Sequence, residues 1–130
     1  MTILTIRTDK PEAEVGLYKD FECLNYQTWP AHRQLAETIH VKIKGLLAKN
    51  QESLSQLQGI VVFQGPGSFT GLRIGLSVAN ALAYSLKIPI VTTQTEDWVR
   101  LGIERLQTNE NDNLALPEYG SPPHITKQKR

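Results

Sequence analysis

The residues whose types and spacing could do chemistry are few. The first group is Gly65-Pro66-Gly67-Ser68-Phe69-Thr70-Gly71, a glycine-rich turn between the apolar run Ile60-Val61-Val62-Phe63 and a helix-forming stretch. A helix N-terminus after a strand offers free N–H groups and the positive end of a dipole, so such a turn can cradle a phosphate. The spacing fits neither the lysine-bearing phosphate loop nor the dinucleotide fingerprint, and a tight connection whose glycines serve packing accounts for the same residues. The second group is Arg7-Thr8-Asp9. A carboxylate at the end of a first strand can hold magnesium, but the cation at Arg7 repels it, and capping its own turn is the simpler role for Asp9. His32 and His40 stand two helical turns apart, ~12 Å along an axis, too far to share a metal ion. No Ser-His-Asp or Cys-His constellation can be assembled, so no catalytic and no metal-binding residue is assigned. Cys23, the single cysteine, excludes an internal disulfide and suits a reducing compartment.

These groups need elements to position them. Thr2 to Ile6 reads as a first strand, Glu14 to Tyr18 as a second and Phe21 to Gln27 as a third, with a turn at Lys19-Asp20. Residues 31–49 read as a long helix with Leu35, Ile39, Ile43, Leu46 and Leu47 at helical spacing. Ile60 to Phe63 is a strand buried on both faces, and Ser68 or Thr70 caps a helix that runs to about Ser85. Gly71, Gly75, Ala79 and Ala83 recur every four residues in that helix, so one face is shallow enough for a second helix to approach closely. Ile88 to Thr92 is a further strand, parallel to its neighbour because a helix intervenes. Thr95 then caps a third helix with Glu96 and Asp97 in its first turn.

At 130 residues, 40% apolar and 21% charged, the chain suits one modest core. A net charge of +1 gives no global attraction to nucleic acid, so any RNA contact must be local. No apolar stretch reaches membrane-spanning length and no leader pattern is visible, so the expected location is the cytoplasm, without a membrane partner.

The run Gly65-Pro66-Gly67-Ser68-Phe69-Thr70-Gly71-Leu72-Arg73-Ile74-Gly75, followed by an alanine-bearing helix and Ile88-Pro89-Ile90-Val91, resembles the bacterial TsaB (YeaZ) family. That family is the non-catalytic part of the machinery that makes threonylcarbamoyladenosine in tRNA, next to the anticodon. The resemblance spans about residues 1–100 and is sharpest in the glycine motif. It implies an α/β fold, a single ribonuclease-H-like, actin-like ATPase (ASKHA) lobe ordered β-β-β-α-β-α-β-α, with a mixed sheet and helices on its faces. It also implies an aspartate where this chain has Arg7, a departure that argues for a pseudoenzyme with no cofactor of its own.

On that resemblance, the lobe is expected over residues 1–106, with a polar linker and terminal tail over 107–130. The Leu114 to Tyr119 island looks like the terminal segment of longer two-lobed relatives, which leads to the expectation of a natural one-lobe version. The implied partners are TsaD, as a heterodimer, and the ATPase subunit TsaE, with tRNA reached only through the complex and ATP or ADP and metal held by the partner subunits. The expected interface comprises Leu35, Ile39, Ile43, Ser68, Thr70, Gly71, Leu72, Arg73, Gly75, Ala79 and Ala83, with Arg73 as a candidate nucleotide contact at it. A homodimer through the same helices, and a small phosphotransferase using Asp9 and the glycine turn, are the alternatives. The cations Lys127, Lys129 and Arg130 follow a proline pair and read either as a solvated end or as phosphate contacts.

Overall fold

The structure, a computed structural model, describes residues 1–119; the expectations for residues 120–130 lie outside the described residues. Its elements are β1 (Thr2–Arg7), β2 (Glu12–Lys19), β3 (Glu22–Pro30), α1 (Leu35–Lys49), β4 (Gly59–Phe63), α2 (Phe69–Leu86), β5 (Ile90–Thr93) and α3 (Trp98–Gln107). The order β-β-β-α-β-α-β-α is the expected one. The sheet runs β3-β2-β1-β4-β5, antiparallel across the three-strand meander and parallel from β1 onward. Thr5 stands opposite Gly16 on one side and Val61 on the other, which fixes the register of the centre.

Strand alternation divides the apolar residues between two faces. Leu4, Ile6, Val15, Leu17, Ile60 and Val62 pack under α1 and α2, while Ile3, Val61, Phe63 and Val91 pack under Trp98, Ile103 and Leu106 of α3. Every residue of β4 is buried, as a strand covered on both faces must be. Each fully buried aliphatic side chain here contributes ~1.5–3 kcal/mol of transfer free energy.

Several boundaries differ from the sequence expectation. The β2–β3 hairpin extends through the pair Ala13 and Trp29 to Glu12 and Pro30, because Trp29 is buried against α1 and its indole N–H donates to the Thr38 hydroxyl at 2.9 Å. Pro30 therefore ends β3 instead of opening a helix. The amides of Ala31 and His32 both donate to the Pro11 carbonyl, His32 takes a left-handed φ of 48°, and α1 begins only at Leu35. The third helix begins at Trp98, not after Thr95, so Glu96 and Asp97 precede it; the Asp97 carboxylate accepts from Arg100 at 2.9 Å rather than capping. Ser68 is the cap residue of α2, its hydroxyl accepting from the Gly71 amide at 3.3 Å.

The stretch after Gln107, expected as a polar linker, is packed on the lobe because its polar side chains find strand backbone to bond. Asn111 and Asp112 accept from the Ile90 and Thr92 amides at 3.1 and 2.9 Å, and the Asp112 amide donates to the Ile90 carbonyl at 2.8 Å. They stand in for the neighbouring strand that the edge strand β5 lacks. Farther along, Asn80 brackets Ala115 with two hydrogen bonds, at 2.9 and 2.8 Å.

Candidate partner interface

The glycine turn is built where β4 hands over to α2. Gly65 has a φ of 118°, a conformation that a side chain rarely permits, and Ser68 donates its amide to the Asp9 carbonyl at 2.9 Å. The first turn of α2 thus rests on the end of β1. Thr8, fully buried, donates its hydroxyl to the Gly71 carbonyl at 2.8 Å, and a β-carbon at Gly75 would overlap the Thr8 side chain. The small residues of α2 therefore serve close approach between this helix and its own sheet.

That placement corrects most of the expected interface. Leu35, Ile39, Ile43, Leu72, Ala79 and Ala83 are core residues, Gly75 is buried, and Gly71 turns its missing side chain towards the Thr8 carbonyl. A stripe with four-residue spacing is compatible with either a partner helix or the protein's own strands, and here the strands take it. Ser68, Thr70 and Arg73 are exposed.

The surface between the same two helices holds Thr70 and Arg73 of the expected interface together with residues that sequence reasoning missed. A groove of about 440 Å³ runs between α1 and α2, lined by Ala36, His40, Thr70, Arg73, Ile74, Ser77 and Val78. On the same two helices Val41 is 67% exposed and Phe69 56% exposed. The available signal was the position of Ala36, Ile74, Ser77 and Val78 one helical step from the buried residues, short or apolar side chains where a solvated face usually carries charge.

At the end of β1, Arg7 donates through Nε and Nη2 to the two Asp9 carboxylate oxygens, at 2.8 and 3.2 Å. The Asp9 hydrogen bond holds the Arg7 guanidinium above its ordinary pKa, against the opposing effect of burial. Asp9 is thus tied to Arg7 instead of capping its own turn. An actin-like ATPase lobe implies magnesium-nucleotide, and this strand end does not fit the metal: its carboxylate is occupied on both oxygens by a cation. Among the described residues, no group of three or more His, Cys, Asp or Glu is placed to hold a metal ion.

The glycine turn is itself covered. Glu118 donates its amide to the Gln64 carbonyl at 2.9 Å, Gln64 donates its side-chain amide to the Leu116 carbonyl at 2.8 Å, and the Tyr119 ring lies 4.7 Å from that of Phe69. A second cleft, of about 570 Å³, opens at the C-terminal ends of β4 and β5, where α/β sheets commonly place ligands. Its Arg105 is committed to Asp112, Glu110 and the Thr92 carbonyl. No helix among the described residues is long and apolar enough to cross a membrane.

Comparison with known proteins places this architecture. The family model described as "TsaD: tRNA N6-adenosine threonylcarbamoyltransferase" matches residues 29–111. The chain is 31% identical over 100 residues to the tRNA threonylcarbamoyladenosine biosynthesis protein TsaB of Escherichia coli, covering 73% of this chain and 41% of the relative. It is 43% identical over 95 residues to the tRNA N6-adenosine threonylcarbamoyltransferase of Geotalea uraniireducens, covering 73% of this chain and 28% of that protein. Among solved structures, YeaZ from Pseudomonas aeruginosa superimposes with a TM-score of 0.67 at 28% identity, covering 72% of this chain and 43% of that one. The chain thus spans less than half the length of each of these three relatives.

Proposed function

The chain belongs to the family that the threonylcarbamoyltransferase model describes, as a member of the TsaB (YeaZ) family with its ribonuclease-H-like lobe, and on that premise we propose that it serves the formation of threonylcarbamoyladenosine in tRNA. Its role in this reading is a non-catalytic subunit that docks TsaD through the outer faces of α1 and α2, alongside TsaE. The observation that carries it is the groove between these helices, lined by Ala36, Ile74, Ser77 and Val78 together with the polar side chains of His40, Thr70 and Arg73. Short and apolar side chains along such a groove let a partner helix approach closely.

The Arg7–Asp9 pair supports the non-catalytic part. A carboxylate bound by a guanidinium on both oxygens is a poor magnesium ligand, so ATP or ADP and metal are assigned to the partner subunits. Self-pairing through the same groove is the second reading, because a helical face that accepts one helix pair accepts a copy of itself when the partner is absent.

The test is tRNA modification reconstituted from TsaD, TsaE and the threonylcarbamoyl-adenylate synthase, with and without this chain, alongside size exclusion of the chain alone and mixed with TsaD. The expected results are dependence of modification on the chain and a complex with TsaD that Ala36→Arg and Ser77→Arg disrupt. Both residues are exposed, so circular dichroism of the variants stays unchanged. Modification that proceeds equally well without the chain would overturn the reading.

A further inference from the structure

We propose that the cleft between the β1–β2 turn and the starts of α1 and α2 holds the phosphate backbone of an RNA strand, with Lys10 and Arg33 as its cationic contacts and Phe69 as a platform for a base. The cleft has a volume of about 320 Å³, and Lys10, His32 and Arg33 line it together with the hydroxyl-bearing Ser68 and Thr70. Its walls are fixed to one another by backbone. Ser68 donates to the Asp9 carbonyl at 2.9 Å, and Ala31 and His32 donate to the Pro11 carbonyl at 3.0 and 3.2 Å.

The arginines of the lobe divide by charge matching. Arg7, Arg100 and Arg105 are each in an ion pair, whereas Arg33 and Arg73 are in none among the described residues. Arg33 lines this cleft, and Arg73 lines the adjoining α1–α2 groove, which shares Thr70 and Ile74 with it. No carboxylate lines the cleft, and both oxygens of the nearby Asp9 are turned to Arg7. Two cations and two hydroxyls in an acid-free cleft are the chemistry of phosphate recognition.

Phe69, joined to the cleft through its lining neighbours Ser68 and Thr70 without lining it itself, is the group that selects a polynucleotide over a free phosphate. Phe69 stands between Ser68 and Thr70, is 56% exposed, and carries the Arg73 guanidinium 5.2 Å from its ring centroid and the Tyr119 ring 4.7 Å away. A cationic channel beside an exposed stacking platform is how single-stranded nucleic acid is held without sequence preference. That the RNA is tRNA rests on the function proposed above; the cleft itself recognises backbone.

The experiment measures binding of the full chain to a tRNA transcript by fluorescence anisotropy across a potassium chloride series. The double variant Lys10→Glu/Arg33→Glu should bind about tenfold weaker or worse, with a log–log salt slope smaller by ~1.4–1.8 for two lost contacts. Phe69→Ala should weaken binding by about fivefold or more with the slope unchanged. Lys44→Glu/Lys49→Glu, on the later turns of α1, should leave both unchanged. Co-elution of the Lys10/Arg33 variant with TsaD should also stay as in the parent, so that failure here is distinct from failure of the docking reading. The proposal is overturned if the parent chain binds no tRNA, if the Lys10/Arg33 variant binds like the parent, or if the Lys44/Lys49 control loses as much. Loss of binding only on removal of residues 120–130, or binding of ATP without binding of RNA, would overturn it equally.

Discussion

Arg7 and Asp9, two residues apart at the end of β1, form a two-pronged ion pair at 2.8 and 3.2 Å, with the guanidinium 3.9 Å from the centroid of the Phe63 ring. Asp9 is 8% exposed, so its carboxylate depends on this one cation. The pair leaves neither carboxylate oxygen of Asp9 free of the guanidinium.

Replacing Arg7 by Ala should destabilise the chain by about 1–3 kcal/mol, less than a fully buried pair loses because the Arg7 side chain keeps 20% of its exposure. The companion variant Arg7→Ala/Asp9→Asn should recover part of that loss, since no buried charge is then left alone. Urea unfolding of both variants checks this, and equal stability of parent and Arg7→Ala would show that solvent already screens the pair.

Gly75→Ala should lower stability by ~1–3 kcal/mol, because the added carbon overlaps Thr8, a residue with no exposed surface to retreat towards. Gly75→Leu should fail to fold rather than fold and lose its partner. Thermal unfolding followed by circular dichroism reads both; a Gly75→Leu chain as stable as the parent would mean that α2 does not lie against β1 as described.

Asn80→Ala removes both hydrogen bonds to Ala115, each worth ~1 kcal/mol, and so should free the segment that covers the glycine turn. Faster amide exchange at Glu118, whose N–H is bonded to Gln64, is the expected readout, with exchange in β4 unchanged. Unaltered protection of Glu118 would show that the segment is held without Asn80, through contacts such as those at Gln64 and the Phe69–Tyr119 stack.

Asp112 gives a pH dependence whose sign can be worked out. Burial alone would raise its pKa, but the hydrogen bonds from Arg105 and from Thr92 outweigh burial and hold it below the ordinary carboxylate value. A carboxyl depressed in the folded state stabilises the fold at pH values above its unfolded pKa of ~3.9 and loses that contribution as pH falls through the lower folded value. Unfolding free energy should therefore drop below about pH 4, and Asp112→Asn should flatten part of that drop while lowering stability at pH 7. A variant with the parent's acid profile would remove Asp112 from the account.

Local chemistry was legible in the sequence: the buried β4 run, the Ser68 cap, the alternation of β1 and the spacing of the apolar positions in α1 each follow from residues close together in the chain. These settled the element order and, with the glycine motif, the family. The direction in which the small-residue stripe of α2 faces was not legible, because Gly71, Gly75, Ala79 and Ala83 suit any close neighbour, and only the position of Thr8 after folding shows that the neighbour is β1. Nor was the fate of residues 108–119, whose polar composition reads as linker until Asn111 and Asp112 meet the unpaired amides of β5 and Asn80 meets Ala115. Hydrogen-bond satisfaction between segments 20 to 35 residues apart is a property of the assembled sheet, and no window of sequence contains both partners.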